Sequence, residues 1–587
     1  MIKILKRLSG FEWLLIGISI IFIASGVWLD LELPGYMAEI TRLVQTPGSS
    51  LTLVWRAGFF MLLCALGSVA TAVVVGLLAS RVAASFSMRL RASLFDKVLS
   101  FSMQEVNGFS TASLITRSTN DVNQIRMLIG MGLQVVVRAP LLAVWAITKI
   151  AGKSTQWTSA TAVTVLMLIV VATIIMTVAV PRFRRIQILT DNLNRVTREN
   201  LTGLRVVRAY NAEGFAEAKF ASANKELTDT NLFVSRIMAV IGPAMSLMMG
   251  GLTLAIYWLG ASLINAAGMM DKLPLFSDMV VFSSYAMQVV MAFMMMTMLF
   301  IILPRASVSA KRVNEVLGTE TTILDGAVSE PATSLRGHVE FRNVSFKYPG
   351  ADEYVLKDIN FTAEPGQTVA FIGSTGSGKS TLINLIARFH DATEGEILVD
   401  GISVKDYTLK ALRDKLGYVP QKAVLFSGTV RSNIAFGDSG HGSISEDEIK
   451  TAAKVAQADE FVERMEGGYD GNIAQGGANV SGGQKQRLAI ARAVARRPEI
   501  FIFDDSFSAL DYRTDRKLRE ALRQTGYDST KLMVAQRIGT IRDADRIIVL
   551  EQGRVVGADT HHNLLKTCEV YREIASSQMS KEELAHG

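Results

Sequence analysis

Six apolar runs, each long enough to cross the hydrocarbon core of a bilayer as a helix, lie at about residues 11–31, 52–80, 128–150, 157–180, 237–263 and 279–303 of this chain. No such run follows residue 305, so the second half must fold by different rules. Hydrophobic residues make up 49% and charged residues 20% of the 587 residues, too apolar for a soluble enzyme and too charged for a membrane bundle alone. A mixed architecture is predicted: a six-helix membrane bundle over 1–315, a linker rich in Thr, Ser, Gly and Pro over 316–336, and a soluble α/β domain over 337–587.

Charge orients the bundle. With the N-terminus inside, the connections 81–127 and 181–236 are cytoplasmic and carry six and ten Lys or Arg, whereas the three outer connections carry one each, Arg42, Lys153 and Lys272. Both termini and the soluble domain are therefore expected in the cytoplasm, in a multi-pass protein of the cell (inner or plasma) membrane. The excess of 61 Lys and Arg over 54 Asp and Glu reads as basic cytoplasmic loops, not as a nucleic-acid footprint. The two inner connections keep helical spacing without Gly or Pro clusters, and are read as helical extensions into the cytosol. The first apolar run has full helix length and no small-residue cleavage site, so it is expected to remain as the first span. Two cysteines, Cys64 and Cys568, leave no disulfide framework or cysteine-rich metal site.

Within the spans, Met287, Met291, Met294, Met295, Met296 and Met298, with Met245, Met248 and Met249, suit either a cavity for apolar ligands of varied shape or ordinary helix packing. Arg138, Asp30 and Arg56 are functional candidates as intramembrane ionisable residues, or else interface pairs and snorkelling side chains. Pro304 reads as a helix stop, with a kink as the alternative.

The soluble half carries chemistry. A buried strand, Val369 to Ile372, feeds Gly373-Ser374-Thr375-Gly376-Ser377-Gly378-Lys379-Ser380 and then a helical stretch, which is the P-loop in its strand–loop–helix setting. Glycines let backbone N–H groups close on phosphate oxygens, Lys379 reaches the terminal phosphates, and Ser380 offers its hydroxyl to magnesium. The run Ile500 to Phe503 ends at Asp504, a second buried strand with a carboxylate where a magnesium-binding acid is needed. Between them, Ser481-Gly482-Gly483-Gln484 opens a helix as a further phosphate-binding device.

In this order the motifs strongly resemble those of the ABC (ATP-binding cassette) transporters, specifically exporter half-transporters in which six membrane helices precede one P-loop nucleotide-binding domain with a helical subdomain. The resemblance covers essentially the whole chain. It implies ATP and Mg2+ as ligands, Tyr348 stacked on adenine, nucleotide contacts from Gly373 through Ser380 and Thr381, and Gln421 as the contact to magnesium and water. Magnesium would be held by Ser380, Gln421 and Asp504. Ser481 to Gln484 would be the signature, acting in trans on a second subunit's ATP. Ser508-Ala509-Leu510-Asp511 would face the other nucleotide domain, and short coupling helices would fall at about 107–113 and 211–215.

The chain departs from the family pattern where hydrolysis occurs. A Glu normally follows the magnesium Asp as general base, but Asp505 stands there; the switch His is Gln536; the acidic position upstream of the signature reads Ala474-Gln475; and Val480 replaces the usual Leu. This combination resembles the degenerate-site subunit of heterodimeric bacterial multidrug exporters. It implies a homologous partner subunit carrying the catalytic Glu and His, hydrolysis mainly at the site whose P-loop lies on that partner, membrane lipid around the bundle, and a hydrophobic small-molecule substrate. Exporters of lipid, peptide or haem-related compounds, and a regulatory nucleotide-gated protein that does not pump, are the alternative readings.

Overall fold

The computed structural model describes residues 1–579 except Pro47, Met270, Pro331, Ala332, Ser439, His441 and residues 525–527; at Val180, Arg184 and residues 298–301 only the backbone is described. The chain divides into two compact units, residues 1–99 with 112–319, and residues 100–111 with 320–587.

Among the described residues, the first unit contains six helices long and apolar enough to cross a membrane: Gly10–Gln45, Leu51–Leu99, Thr111–Ile150, Thr155–Thr202, Glu213–Ala266 and Lys272–Gly318. Several far exceed the roughly 20 residues a bilayer requires. The helical character predicted for the inner connections accounts for the extra length, since Leu51–Leu99, Thr155–Thr202 and Glu213–Ala266 each run on without a break into the basic segments. The first helix starts at a capping box in which Ser9 and Glu12 satisfy each other's backbone N–H groups. One turn of π-helix, Arg117–Asp121, interrupts the third; there Arg117 donates to the Arg312 carbonyl at 2.7 Å, and Ser309 donates to Asp121 at 2.8 Å.

The core of this unit gathers Trp157, Phe282, Tyr285 and Ala286, with the Tyr285 hydroxyl donating to the Leu31 carbonyl at 2.9 Å. The ionisable candidates are paired. Arg138 donates to Asp30 at 2.7 Å, Asp30 also accepts from Ser68, and the Arg56 guanidinium lies 5.9 Å from the centre of the Phe60 ring. Met245, Met248, Met249, Met294 and Met296 pack against the core cluster, as expected of gap-filling side chains. The Met298 side chain lies outside the described residues. Pro304 does not stop its helix, which continues to Gly318: neighbouring turns and packing can re-satisfy the backbone group that a proline leaves free in a membrane helix.

Among the described residues, the second unit is built on three sheets. Twelve strands follow in chain order: β1 (Val339–Phe346), β2 (Leu356–Ala363), β3 (Thr368–Gly373), β4 (Glu394–Val399), β5 (Ile402–Ser403), β6 (Leu416–Val419), β7 (Gly428–Thr429), β8 (Asn472–Ile473), β9 (Ile500–Asp504), β10 (Thr530–Val534), β11 (Arg546–Glu551) and β12 (Arg554–Asp559). The largest sheet has the order β12-β11-β3-β10-β9-β6, parallel except at β12. Its central strands are continuous apolar runs because both faces are covered. On one side lies a cluster containing Phe341, Phe361, Phe371 and Leu382; on the other, Phe501 and Phe503 meet the helical subdomain through Ile449, Leu488 and Val494. A third cluster joins Ile372 and Val549 to Leu564 and Tyr571 of the last helices.

The short helix Met103–Phe109 belongs to this second unit. Glu105, which caps that helix by accepting from the Ser102 N–H, also accepts from the Thr322 backbone at 3.2 Å and hydroxyl at 2.7 Å.

Candidate functional site

Strand β3 is wholly buried from Val369 to Ile372 and delivers the chain to a loop whose shape demands glycine. Gly376 and Gly378 have φ of 85° and 96°, a region that costs an L-residue about 1–2 kcal/mol. A Cβ at Gly373 would stand 2.0 Å from the Leu550 carbonyl of the adjacent β11. The helix Lys379–Ile386 follows, directing its free N–H groups back at the loop.

Lys379 folds into that loop, donating to the carbonyls of Gly373 (2.9 Å) and Ser374 (2.7 Å) and to Ser377 Oγ (3.2 Å). Burial pushes its pKa down, opposed by the charges of Asp505 and Asp504. Ser380 Oγ donates to Asp504 Oδ1 at 2.7 Å across the sheet. Asp504 is pushed up by burial, which its bond to Ser380 opposes.

Asp505 occupies the turn out of β9 with φ of 46°. Its backbone N–H is tied to the Val534 carbonyl of β10 at 3.0 Å, which fixes where the side chain emerges. Its Oδ2 accepts from Gln536 Nε2 at 2.8 Å and from Gln421 Nε2 at 3.4 Å. Burial raises its pKa, opposed by hydrogen bonding and by the positive charges of Lys379 and Arg537.

Most of these residues line one cavity of about 580 Å3, but Asp504, buried beside Ser380, does not. Ser374 to Gly376, Gly378 to Thr381, Gln421, Asp505 and Gln536 all face it. Ser377 is buried in the loop beneath. Tyr348 stands beside the P-loop helix, its hydroxyl 3.0 Å from Thr381 Oγ1 and its ring edge-on to Phe346 and His390.

The remaining candidates lie elsewhere. Ser481 to Gln484 do not line the cavity; Ser481 caps the helix Gly482–Ala495 in a reciprocal box with Gln484. That helix is tied to the Gln421 loop by Gln486, which donates to the Pro420 carbonyl at 3.2 Å. Ser508 donates to the Asp505 carbonyl at 2.9 Å, Ala509 is exposed, Leu510 is buried, and Asp511 accepts from the Thr514 N–H at 2.9 Å.

The cavity fits a triphosphate with magnesium. A left-handed glycine loop, a lysine and a helix N-terminus supply positive charge and N–H donors for phosphate. Ser380, Asp504 and Gln421 offer the hard oxygen ligands magnesium prefers, and the close approach of Ser380 to Asp504 puts two of them side by side. Magnesium held there would neutralise charge on the phosphate oxygens. Four lining residues carry no motif and were missed from sequence: Val355, just ahead of β2, and three on the helix Glu569–Gln578, namely Ile574, Ser577 and Gln578. About two hundred residues separate the latter three from the P-loop, and helical periodicity says nothing of which end meets the site.

Comparison with known proteins agrees with both units. The family described as "ABC transporter" matches residues 356–508, and "ABC transporter transmembrane region" matches residues 16–293. An uncharacterized ABC transporter ATP-binding protein of Mycobacterium tuberculosis is 42% identical over 557 residues, 94% of this chain and 93% of that protein. The ATP-dependent lipid A-core flippase of Pseudomonas aeruginosa is 34% identical over 492 residues, 81% of this chain and 77% of that protein. A bacterial Atm1-family ABC exporter, solved with ATP bound, superposes with a TM-score of 0.79 at 26% identity, covering 96% of this chain and 98% of the other. The chain belongs to the ABC transporter family as an ATP-hydrolysing half-transporter of the exporter type.

Proposed function

We propose that this chain is one subunit of a heterodimeric exporter, in which its own P-loop forms a slowly hydrolysing ATP site and its signature, Ser481 to Gln484, completes the competent site of a homologous partner. The observation that carries this is the state of Asp505. Its carboxylate is one methylene shorter than Glu and is held by Gln536 at 2.8 Å, so the group at the position of the general base is short and already bonded to an amide. Misplacing a catalytic group by about 1 Å can cost about 100-fold in rate. Gln536 has no titratable group with which to move a proton.

ATP binding would draw two nucleotide domains together and bias the membrane bundle toward an outward-facing state, which requires ATP to favour that state differentially. Hydrolysis at the partner's P-loop then resets the cycle. The cargo is a hydrophobic or amphiphilic small molecule, carried across the plasma membrane with both termini and the nucleotide domain in the cytoplasm. The likeness to lipid A-core flippases favours a lipid-like amphiphile as the second reading of the cargo.

Purified alone, the chain should hydrolyse ATP far below ordinary transporter rates on the order of 1–10 per second. Asp505→Glu combined with Gln536→His should raise that rate at least about tenfold, since general-base catalysis contributes ~100-fold or more. Turnover at ordinary rates by the unmodified single chain contradicts the proposal.

A further inference from the structure

We propose that Gln578, on the helix Glu569–Gln578, is a positioning residue for the nucleotide site: its side-chain amide clasps the backbone on both sides of Arg537 and so holds Gln536 against Asp505. Gln578 Nε2 donates to the Gln536 carbonyl at 2.8 Å, and Gln578 Oε1 accepts from the Ile538 N–H at 2.9 Å. Arg537 between them is extended, with φ of −106° and ψ of 127°. In that conformation the preceding carbonyl and the following N–H point to the same side, as they would toward a neighbouring strand, and one amide side chain answers both.

The clasp is anchored at each end. Tyr571 and Ala575 are fully buried against the sheet through Ala370, Ile372, Ile547 and Val549, so the helix that carries Gln578 rests on the strand that feeds the P-loop. Further along the loop, Arg537 donates to the Ser508 carbonyl at 3.3 Å, and Ser508 in turn donates to the Asp505 carbonyl at 2.9 Å. Gln536 therefore sits in a segment held from both flanks, with its side chain directed at Asp505. Without the Gln578 amide, two backbone polar groups lose their partner, and a segment with exposed hydrogen bonds is the kind that opens locally while the rest of the domain stays closed.

The inference rests on this cavity being the chain's own ATP site, and is independent of which subunit hydrolyses faster. Gln578→Met keeps the length of the side chain and removes both the donor and the acceptor; Gln578→Glu keeps an acceptor for Ile538 but turns a carboxylate oxygen toward the Gln536 carbonyl. Amide hydrogen exchange of the full-length protein, with and without Mg-ATP, reads the clasp directly. Both variants should exchange at least about tenfold faster over 536–541 and lose the protection ATP gives there, while β3, the helix Lys379–Ile386 and the ATP protection of the P-loop stay as in the unaltered chain. Affinity for a fluorescent ATP analogue should change less than about twofold, because both polar atoms of the Gln578 amide are already engaged by the backbone on either side of Arg537. Unchanged ATP protection over 536–541 in both variants overturns the inference. So does equal loss of protection over the P-loop, which would make Gln578 a support of the whole fold and not of the switch segment.

Discussion

Replacing Gly373 by alanine should abolish nucleotide binding to this chain's P-loop, with affinity falling at least about 100-fold. Gly373 pairs with Leu550 in the parallel register of β3 and β11, and a Cβ there would lie 2.0 Å from a backbone oxygen that cannot rotate away. Relief requires the two strands to part at the mouth of the site, taking Ser374 and the start of the loop with them. Gly376 is the matched control. Its φ of 85° is unfavourable for alanine, but nothing lies within 4 Å of the position, so Gly376→Ala carries only the backbone term of about 1–2 kcal/mol, roughly five- to thirtyfold. Equilibrium binding of a fluorescent ATP analogue to the full-length chain separates the two. Equal losses for both glycines would show that conformational freedom, and not the approach of β11, decides the loop.

The second large effect is expected outside the cavity. Gly482→Asp should lower the ATPase activity of the assembled transporter by at least about 100-fold, comparable to removing a preorganised donor from a transition state. The substitution should fold normally. Position 482 is the first residue of the helix Gly482–Ala495, a Cβ there meets nothing within 4 Å, and an acidic residue at a helix N-terminus is mildly stabilising. If this end of the helix receives the partner's γ-phosphate, the added carboxylate opposes it by charge alone. Thermal unfolding of the variant should match that of the unaltered chain, and full ATPase activity in a correctly assembled pair would rule out the signature's role in trans.

Much of this site could be read in the residues before any coordinates. Buried strands ending at Gly373 and Asp504 are recognisable because a run of four or five apolar residues stopped by glycine or by a carboxylate has few other uses, and the P-loop spacing encodes its own geometry. The six spans were equally legible, since twenty apolar residues are a length requirement imposed by the bilayer. Their ends were not. Leu51–Leu99 runs far past the apolar stretch that announces it, because hydropathy marks where lipid begins and helix propensity carries on without it. Pro304 shows the opposite error, a local rule overridden by a helix that continues through the proline to Gly318. Least visible was the contact between Gln536 and Asp505, thirty-one positions apart, and the clasp by Gln578 beyond it. Those bonds depend on the register of β9 against β10 and on the docking of a distant helix, neither of which leaves a periodic trace.

The division of labour between two ATP sites is the central claim, and steady-state ATPase of this chain co-purified with its partner half-transporter tests it most directly. Asp505→Ala should leave most of the activity, whereas removal of the partner subunit's catalytic carboxylate should eliminate it. If Asp505→Ala is the more damaging of the two, this chain carries the working site and the proposed asymmetry is contradicted.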